Sequence, residues 1–267
     1  MGILNVTPDS FSDGGEFDSI DAALNRAEQM IAEGADIIDV GGESTRPSSD
    51  RVSVEEEIDR VVPVIKAVKE GFDIALSIDT SKSEVAEAAI GAGAEIINDI
   101  SGLRFDEQIA DVASRRKAGL VLMHSRGDFE TMHSQPPVDN ILEDVRSAFG
   151  WALGIAARAG VTPEQIALDV VIGFGKTPEQ NLELIAKLDR LVSEFESFPF
   201  LVGTSRKSFI GKILGDAPTE DRLTGSLATG IVAVMNGASI LRVHDVQETV
   251  QALSVVSAIR HVSRSRL

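Results

Sequence analysis

The chain has 267 residues and no cysteine, and its 25 basic against 42 acidic side chains give a net charge of −17 at pH 7. Those numbers exclude a disulfide framework and a thiolate metal site, and the charge repels nucleic-acid phosphates and anionic membranes at long range. No apolar run approaches the ~20 residues a membrane-spanning helix needs, and no basic segment followed by an apolar core opens the sequence. The expectation is a single domain spanning residues 1–267, cytoplasmic, with neither nucleic-acid nor membrane partners and large enough to bury most of its apolar surface.

Residues 1–5 form a short apolar run that passes directly into Asn5-Val6-Thr7-Pro8-Asp9-Ser10-Phe11-Ser12-Asp13-Gly14-Gly15, an acceptor-rich, glycine-terminated loop with no helix-forming stretch. Further apolar, β-branched runs follow at 36–41, 74–79, 95–98, 120–124, 166–172, 200–204 and 239–244, which makes eight expected strands. Between them lie segments of helical period. Ile58, Val61, Val62, Ile65 and Val68 recur behind the capping box Ser53-Val54-Glu55-Glu56. Thr177-Pro178-Glu179-Gln180 has the same form, and Asp245-Val246-Gln247-Glu248 repeats it without the proline. Strand then helix, repeated eight times, predicts an α/β fold of the (β/α)8 TIM-barrel type, with a doubly wound open sheet as the alternative.

In such a barrel the chemistry sits at the carboxyl ends of the strands. The residues falling there are Asn5, Asp79, Asn98, Asp169, Arg242 and His244. An Asp or Asn at a strand end often closes a turn or caps the next helix, and that account is assigned to Thr80, Asp99 and Asp245. Asp79, Asn98 and Asp169 lie in or against apolar runs, where an unpaired carboxylate is costly, so a ligand or cation is expected to offset them.

Four stretches carry a family resemblance: residues 5–15, the segment GADIIDVGGESTRPSS at 34–49, Ser205-Arg206-Lys207-Ser208, and Arg242-Val243-His244-Asp245. Together they resemble the signatures of the dihydropteroate synthases, the folate-biosynthesis enzymes that sulfonamides inhibit. The resemblance implies a transferase that joins 4-aminobenzoate to 6-hydroxymethyl-7,8-dihydropterin diphosphate, releasing diphosphate. It assigns Asp169 to the amino and N–H edge of the pterin, Asn98 and Asp79 to the other ring, and Lys207 to its carbonyl or ring nitrogen. Arg242 would stack over the ring, and Arg242, His244 and a Mg²⁺ held by Asn5 would neutralise the diphosphate. The loops at 7–18 and 43–50 would close over it, with Asp13 steadying the methylene carbon, Phe11 and Pro47 walling the aminobenzoate ring, and Thr45 and Arg46 making diphosphate or loop contacts. Ser208 would bind the aminobenzoate carboxylate, and Met123, Phe174 and Gly203 would line the pocket. A homodimer is also implied, for which the Ala/Gly-rich segment 224–238 offers a surface. His124, His133 and His261 receive no role, since none has the spacing of a zinc site.

The chain departs from the family in three places. Where relatives usually read Asp-Pro-Gly-Ile-Gly-Phe-Gly-Lys, it has Asp169-Val170-Val171-Ile172-Gly173-Phe174-Gly175-Lys176, and two β-branched residues are expected to extend the pleated strand and crowd the pterin. The loop Met123-His124-Ser125-Arg126-Gly127 also differs. The sequence starts at its first strand, which predicts apolar residues exposed on the barrel floor. A pterin-binding barrel with weakened turnover and a pterin-dependent methyltransferase are the alternative readings.

Overall fold

In the computed structural model, which describes residues 1–6, 16–45, 49 and 51–264, eight strands follow one another in space in their chain order. They are β1 (Gly2–Asn5), β2 (Ile37–Gly41), β3 (Ala75–Asp79), β4 (Ile96–Asp99), β5 (Gly119–Met123), β6 (Ile166–Asp169), β7 (Phe200–Val202) and β8 (Ile240–Leu241). Every neighbouring pair is parallel. The sheet closes on itself just past β8: Ile3 N donates to Val243 O and Val243 N to Met1 O, both at 3.0 Å. Closure removes the doubly wound alternative, because an open sheet leaves its first and last strands unpaired.

The helices are α1 (Glu16–Ala32), α2 (Val54–Gly71), α3 (Ser83–Ala92), α4 (Gln108–Arg116), α5 (Ile141–Arg158), α6 (Pro178–Ala186), α7 (Leu188–Glu194), α8 (Ser208–Ile213), α9 (Leu223–Met235) and α10 (Val246–Arg264). They start where local chemistry allows. Ser53 Oγ accepts from Glu56 N at 3.1 Å to open α2, and Thr177 and Gln180 exchange side-chain and backbone bonds of 3.2 and 3.0 Å to open α6. Val61, Ile65 and Val68 then turn the buried stripe of α2 inward.

Alternation along the strands separates two cores. Leu4, Ile38, Val40, Leu76, Ile78, Ile97, Leu120, Leu122, Leu168, Phe200 and Val202 point outward into the main core beneath the helices. The intervening positions point into the barrel. There Val121, Met123, Ala167, Val171 and Leu201 form a separate apolar cluster with Ile100, whereas Asp39, Ser77 and Asn98 place polar groups at full burial.

Two expectations fail here. β6 stops at Asp169 instead of continuing to residue 172, and Val171 turns to φ 49°, with Phe174 at φ 50°. The cause is local: Asp169 Oδ1 accepts from Val171 N at 2.7 Å, closing an Asx-type turn that outweighs the β preference of valine. A β-branched residue in the left-handed region costs roughly 1–2 kcal/mol. The floor also differs from expectation: Met1, Ile96 and Ile240 are half-buried there against the inner cluster. Among the described residues the largest apolar exposures are on outer helices instead, at Ile259 (65%), Val255 (62%) and Ile213 (57%).

Candidate active site

Strand register builds the mouth of the barrel. Asn5 pairs with Gly41, Gly41 with Asp79, and Asp79 with Asn98, so the carboxyl ends of β1 to β4 present these residues on one level. One pleat deeper sits Asp39, fully buried. On the far side Met123 pairs with Asp169 and Asp169 with Leu201.

Arg242, just past β8, reaches across to join these groups. Its Nε donates to Asp39 Oδ2 at 2.6 Å and its Nη2 to Asp79 Oδ2 at 2.6 Å. Asn98 Nδ2 adds a third bond, also to Asp39 Oδ2, at 2.9 Å. Burial acts against the guanidinium charge, but Asp39 and Asp79 outweigh it and hold Arg242 firmly protonated. Asp79 is pushed up to about 7 by burial, partly offset by Arg242. Asp39 Oδ1, Asn98 Oδ1 and Ser77 Oγ are buried without a hydrogen-bond partner. Unpartnered buried acceptors are costly, so this wall is shaped for a flat molecule that carries donors. Arg242 Nη1 makes no hydrogen bond among the described residues and remains available to an anion.

The opposite wall pairs an acid with two amines. Asp169 is 4% exposed and spends Oδ1 on Val171 N. Burial raises it to about 6, against the pull of Val171 N–H, Lys207, Arg242 and Lys176. Desolvation likewise lowers Lys207 to about 8 and Lys176 to about 7, with neighbouring Arg242 or Arg126 adding to the effect and Asp169 opposing it. Lys207 Nζ lies 4.6 Å from the centre of the Phe174 ring. Gly203 faces Arg242, whose Cβ and carbonyl would stand 3.8 Å from any added Cβ. Ser208 is exposed at the first position of α8.

His244 lies beside Arg242 but is not a cation. Its Nδ1 is 3.0 Å from Ser205 Oγ, which also accepts from His244 N at 3.2 Å. With one of its lone pairs taken, the hydroxyl is placed to donate to Nδ1, the tautomer that leaves the ring proton on Nε2. Burial together with Arg206 and Arg242 drives the imidazole down to about 4, so near neutral pH the ring is uncharged. Arg206 is drawn away by Asp245. Asp245 stands at the head of α10 as expected, its carbonyl accepting from Thr249 N at 3.2 Å, but its carboxylate is spent on Arg206. Asp99 does close a turn, accepting from Ser101 N (2.8 Å), Ser101 Oγ (2.7 Å) and Leu103 N (2.6 Å).

Phe11, Asp13, Arg46 and Pro47 lie outside the described residues. Thr45 is described, and its carbonyl accepts from His133 Nε2 at 2.8 Å. His133 also stacks on Phe174, with centroids 4.9 Å apart. The site therefore includes a histidine to which sequence reasoning gave no role. Asp39 and Lys176 were missed too. Asp39 had a usable signal, an acid at an inward position of an apolar strand; Lys176 had none, because a loop has no period. His124 is buried against Asp144 at 2.8 Å and held down at about 4, a neutral structural group.

Among the described residues no group of three His, Asp or Glu side chains is placed to hold a metal. Asn5 Oδ1 and Asp79 Oδ2 stand 3.7 and 3.8 Å from where a Cβ on Gly41 would be. One exposed amide oxygen beside a carboxylate fits Mg²⁺, which keeps most of its waters and takes phosphate oxygens.

A closed α/β barrel whose mouth offers an acid for paired donors, orphaned acceptors and an anchored guanidinium defines an enzyme class that takes a flat heterocycle with an anionic tail. Residues 1–244 match the family model described as pterin binding enzyme. The chain is 48% identical over 259 residues to the dihydropteroate synthase of Synechocystis sp., covering 97% of this chain and 89% of that protein. It is 51% identical over 260 residues to the one from Clostridium beijerinckii, covering 97% and 93%. A solved Clostridium difficile dihydropteroate synthase, in the presence of pteroic acid, superimposes with a TM-score of 0.91 at 44% identity, covering 97% of this chain and 95% of that one. Xanthomonas albilineans dihydropteroate synthase with 4-aminobenzoic acid gives 0.90 at 41%, covering 97% and 92%. The chain belongs to the pterin binding enzymes and, among them, to the dihydropteroate synthases.

Proposed function

We propose that the barrel mouth condenses 4-aminobenzoate with 6-hydroxymethyl-7,8-dihydropterin diphosphate to give 7,8-dihydropteroate and diphosphate, a step of folate biosynthesis. The observation that carries this reading is the Arg242 guanidinium, fixed by Asp39 and Asp79 with Nη1 left over, between an acid wall for the ring and an exit for its tail. Solved relatives bearing 4-aminobenzoic acid and 7,8-dihydropteroate support it.

Ionised Asp169 accepts from the pterin amino group and the adjacent ring N–H, and Asn98 and Asp79 meet the other ring. Lys207 donates to the carbonyl or ring nitrogen, and Met123, Phe174 and Gly203 line the cavity. The carbon–oxygen bond to the diphosphate breaks, the amine nitrogen of aminobenzoate bonds to the freed methylene carbon, and the amine proton leaves with diphosphate or solvent. Arg242 Nη1 and His244 Nε2–H bind the departing diphosphate, which is the charge that grows in the transition state. Mg²⁺ at Asn5, when bound, would neutralise further diphosphate charge. The remaining residues keep the roles the family resemblance implies: Asp13 at the methylene carbon, Thr45 and Arg46 at the diphosphate, and Phe11, Pro47 and Ser208 around aminobenzoate.

The test is a coupled assay with both substrates and Mg²⁺. Dihydropteroate and diphosphate should form in equal amounts, and a sulfonamide should compete with aminobenzoate. Absence of turnover, together with absence of diphosphate-dependent aminobenzoate binding, removes the proposal. The weakened-turnover alternative is left with crowding by Val170 and Val171 alone, because Val171 takes a left-handed conformation that a glycine would take. Methyl transfer from methyltetrahydrofolate to a corrinoid would instead favour the methyltransferase.

The proposal includes a cytoplasmic homodimer. Val232, Met235, Val255 and Ile259 leave α9 and α10 with exposures of 44–65%, a face that a second copy would cover. Sedimentation at micromolar concentration should give twice the chain mass, and a monomer there refutes this part.

A further inference from the structure

The loop after β5 touches the loops that follow β2, β4 and β6. Its Phe129 lies 5.1 Å from the Arg51 guanidinium and 6.4 Å edge-on from Phe105. Val138 O accepts from Gln180 Nε2 at 2.8 Å. Its His133 stacks on Phe174 at 4.9 Å with ring planes 24° apart, while His133 Nε2 donates to Thr45 O at 2.8 Å. Lys207 Nζ sits 4.6 Å from the centre of that same Phe174 ring. Lys207, Phe174, His133 and Thr45 thus form one contiguous run across the loops that follow β7, β6, β5 and β2.

Phe174 has φ 50°, a conformation that phenylalanine keeps only where its surroundings hold it. The flat His133 ring supplies that hold on one side, and the direction of its Nε2–H sets where the Thr45 carbonyl rests. We infer that His133 is a positioning residue for the diphosphate-bearing substrate, setting Thr45 in register with Phe174 and, through Phe174, with Lys207. This rests on the reading given above, in which Thr45 meets the diphosphate while Phe174 and Lys207 meet the pterin. The wall formed by Asp169, Asn98, Asp79 and Arg242 makes no described contact with His133.

The test uses the full chain carrying His133→Phe, which keeps a ring but loses the donor, His133→Gln, which keeps an N–H donor, and His133→Ala. Loss of one hydrogen bond should raise the pterin diphosphate KM about fivefold in the Phe and Ala variants. The aminobenzoate KM and kcat should stay within about twofold, and His133→Gln should recover most of the loss. Amide hydrogen exchange without ligands supplies a readout independent of activity: the peptide carrying Thr45 should exchange faster in His133→Phe than in the parent. Unchanged pterin diphosphate KM and unchanged exchange in that variant overturn the inference. So does a loss of Tm, kcat and both KM values together in all three variants, which marks a merely structural residue. Should the parent fail to turn over, the proposed reaction falls, while the exchange comparison still decides the contact.

Discussion

Arg242 Nε stands 2.6 Å from Asp39 Oδ2, across 203 positions of sequence, and Asp39 is fully buried. The pair orients the guanidinium before any anion arrives. Removing the acid leaves a half-satisfied charge in the barrel. Asp39→Ala should cost about 3 kcal/mol, the low end for breaking a buried pair, because Asp79 still holds Arg242. Urea unfolding measures it, and a loss below about 1 kcal/mol would show that the pair is not stabilising.

Asp169 and Asp99 look alike in sequence, each closing an apolar run. Only Asp169 keeps an oxygen free of hydrogen bonds among the described residues, whereas both oxygens of Asp99 are occupied by Ser101 and Leu103. Asp169→Asn should weaken pterin binding by roughly 10- to 100-fold, the worth of one charge-assisted hydrogen bond. Asp99→Asn should leave binding within about threefold and lower stability by about 1 kcal/mol. Equal, small effects in calorimetry would refute the assignment.

The same carboxylate sets an acid limb. Asp169 is raised to about 6 by burial, and the pterin edge needs it ionised, so affinity for the unphosphorylated pterin should fall as pH drops below about 6. Lys207, lowered to about 8, should be half deprotonated near that pH and give an alkaline limb. His244, near 4 and neutral, should contribute no limb between pH 5 and 8. Calorimetric titration across pH on the parent, Asp169→Asn and Lys207→Met checks this. A limb that survives in the matching variant belongs to another group.

Val171→Gly tests the turn after β6. Glycine removes roughly 1–2 kcal/mol of left-handed strain but forfeits a side chain only 4% exposed, a loss of roughly 1.5–3 kcal/mol. The net should be a destabilisation of about 1 kcal/mol with turnover within about threefold. A tenfold gain in activity would show that the valine crowds the substrate after all.

Lys82 is a buried anchor away from the chemistry, with Nζ 2.6 Å from Glu57, 3.0 Å from Glu43 and 2.7 Å from Val52 O. Lys82→Met strands two acids and should cost about 3 kcal/mol, while adding Glu57→Leu should recover part of it. A double variant no more stable than the single one would argue against coupling.

Strand and helix periods, caps at Ser53 and Thr177, and acids inside apolar runs are local properties, so the alternating fold and the placement of Asp79, Asn98 and Asp169 at strand ends can be read from the chain alone. The inward side of each strand follows from a period of two. Which side chains meet across the barrel depends on closure, which brings β8 beside β1 and Arg242 onto Asp39. Loop contacts depend on it as well. His133 carries no periodic signal, and it becomes part of the site only because its loop lies over Phe174. Val171 shows the limit from the other direction: its side chain favours pleating, yet a single hydrogen bond from its amide to the Asp169 carboxylate turns the backbone. Patterning acts over a few residues and chooses the elements, whereas pairings between distant elements are set by packing that no local segment contains.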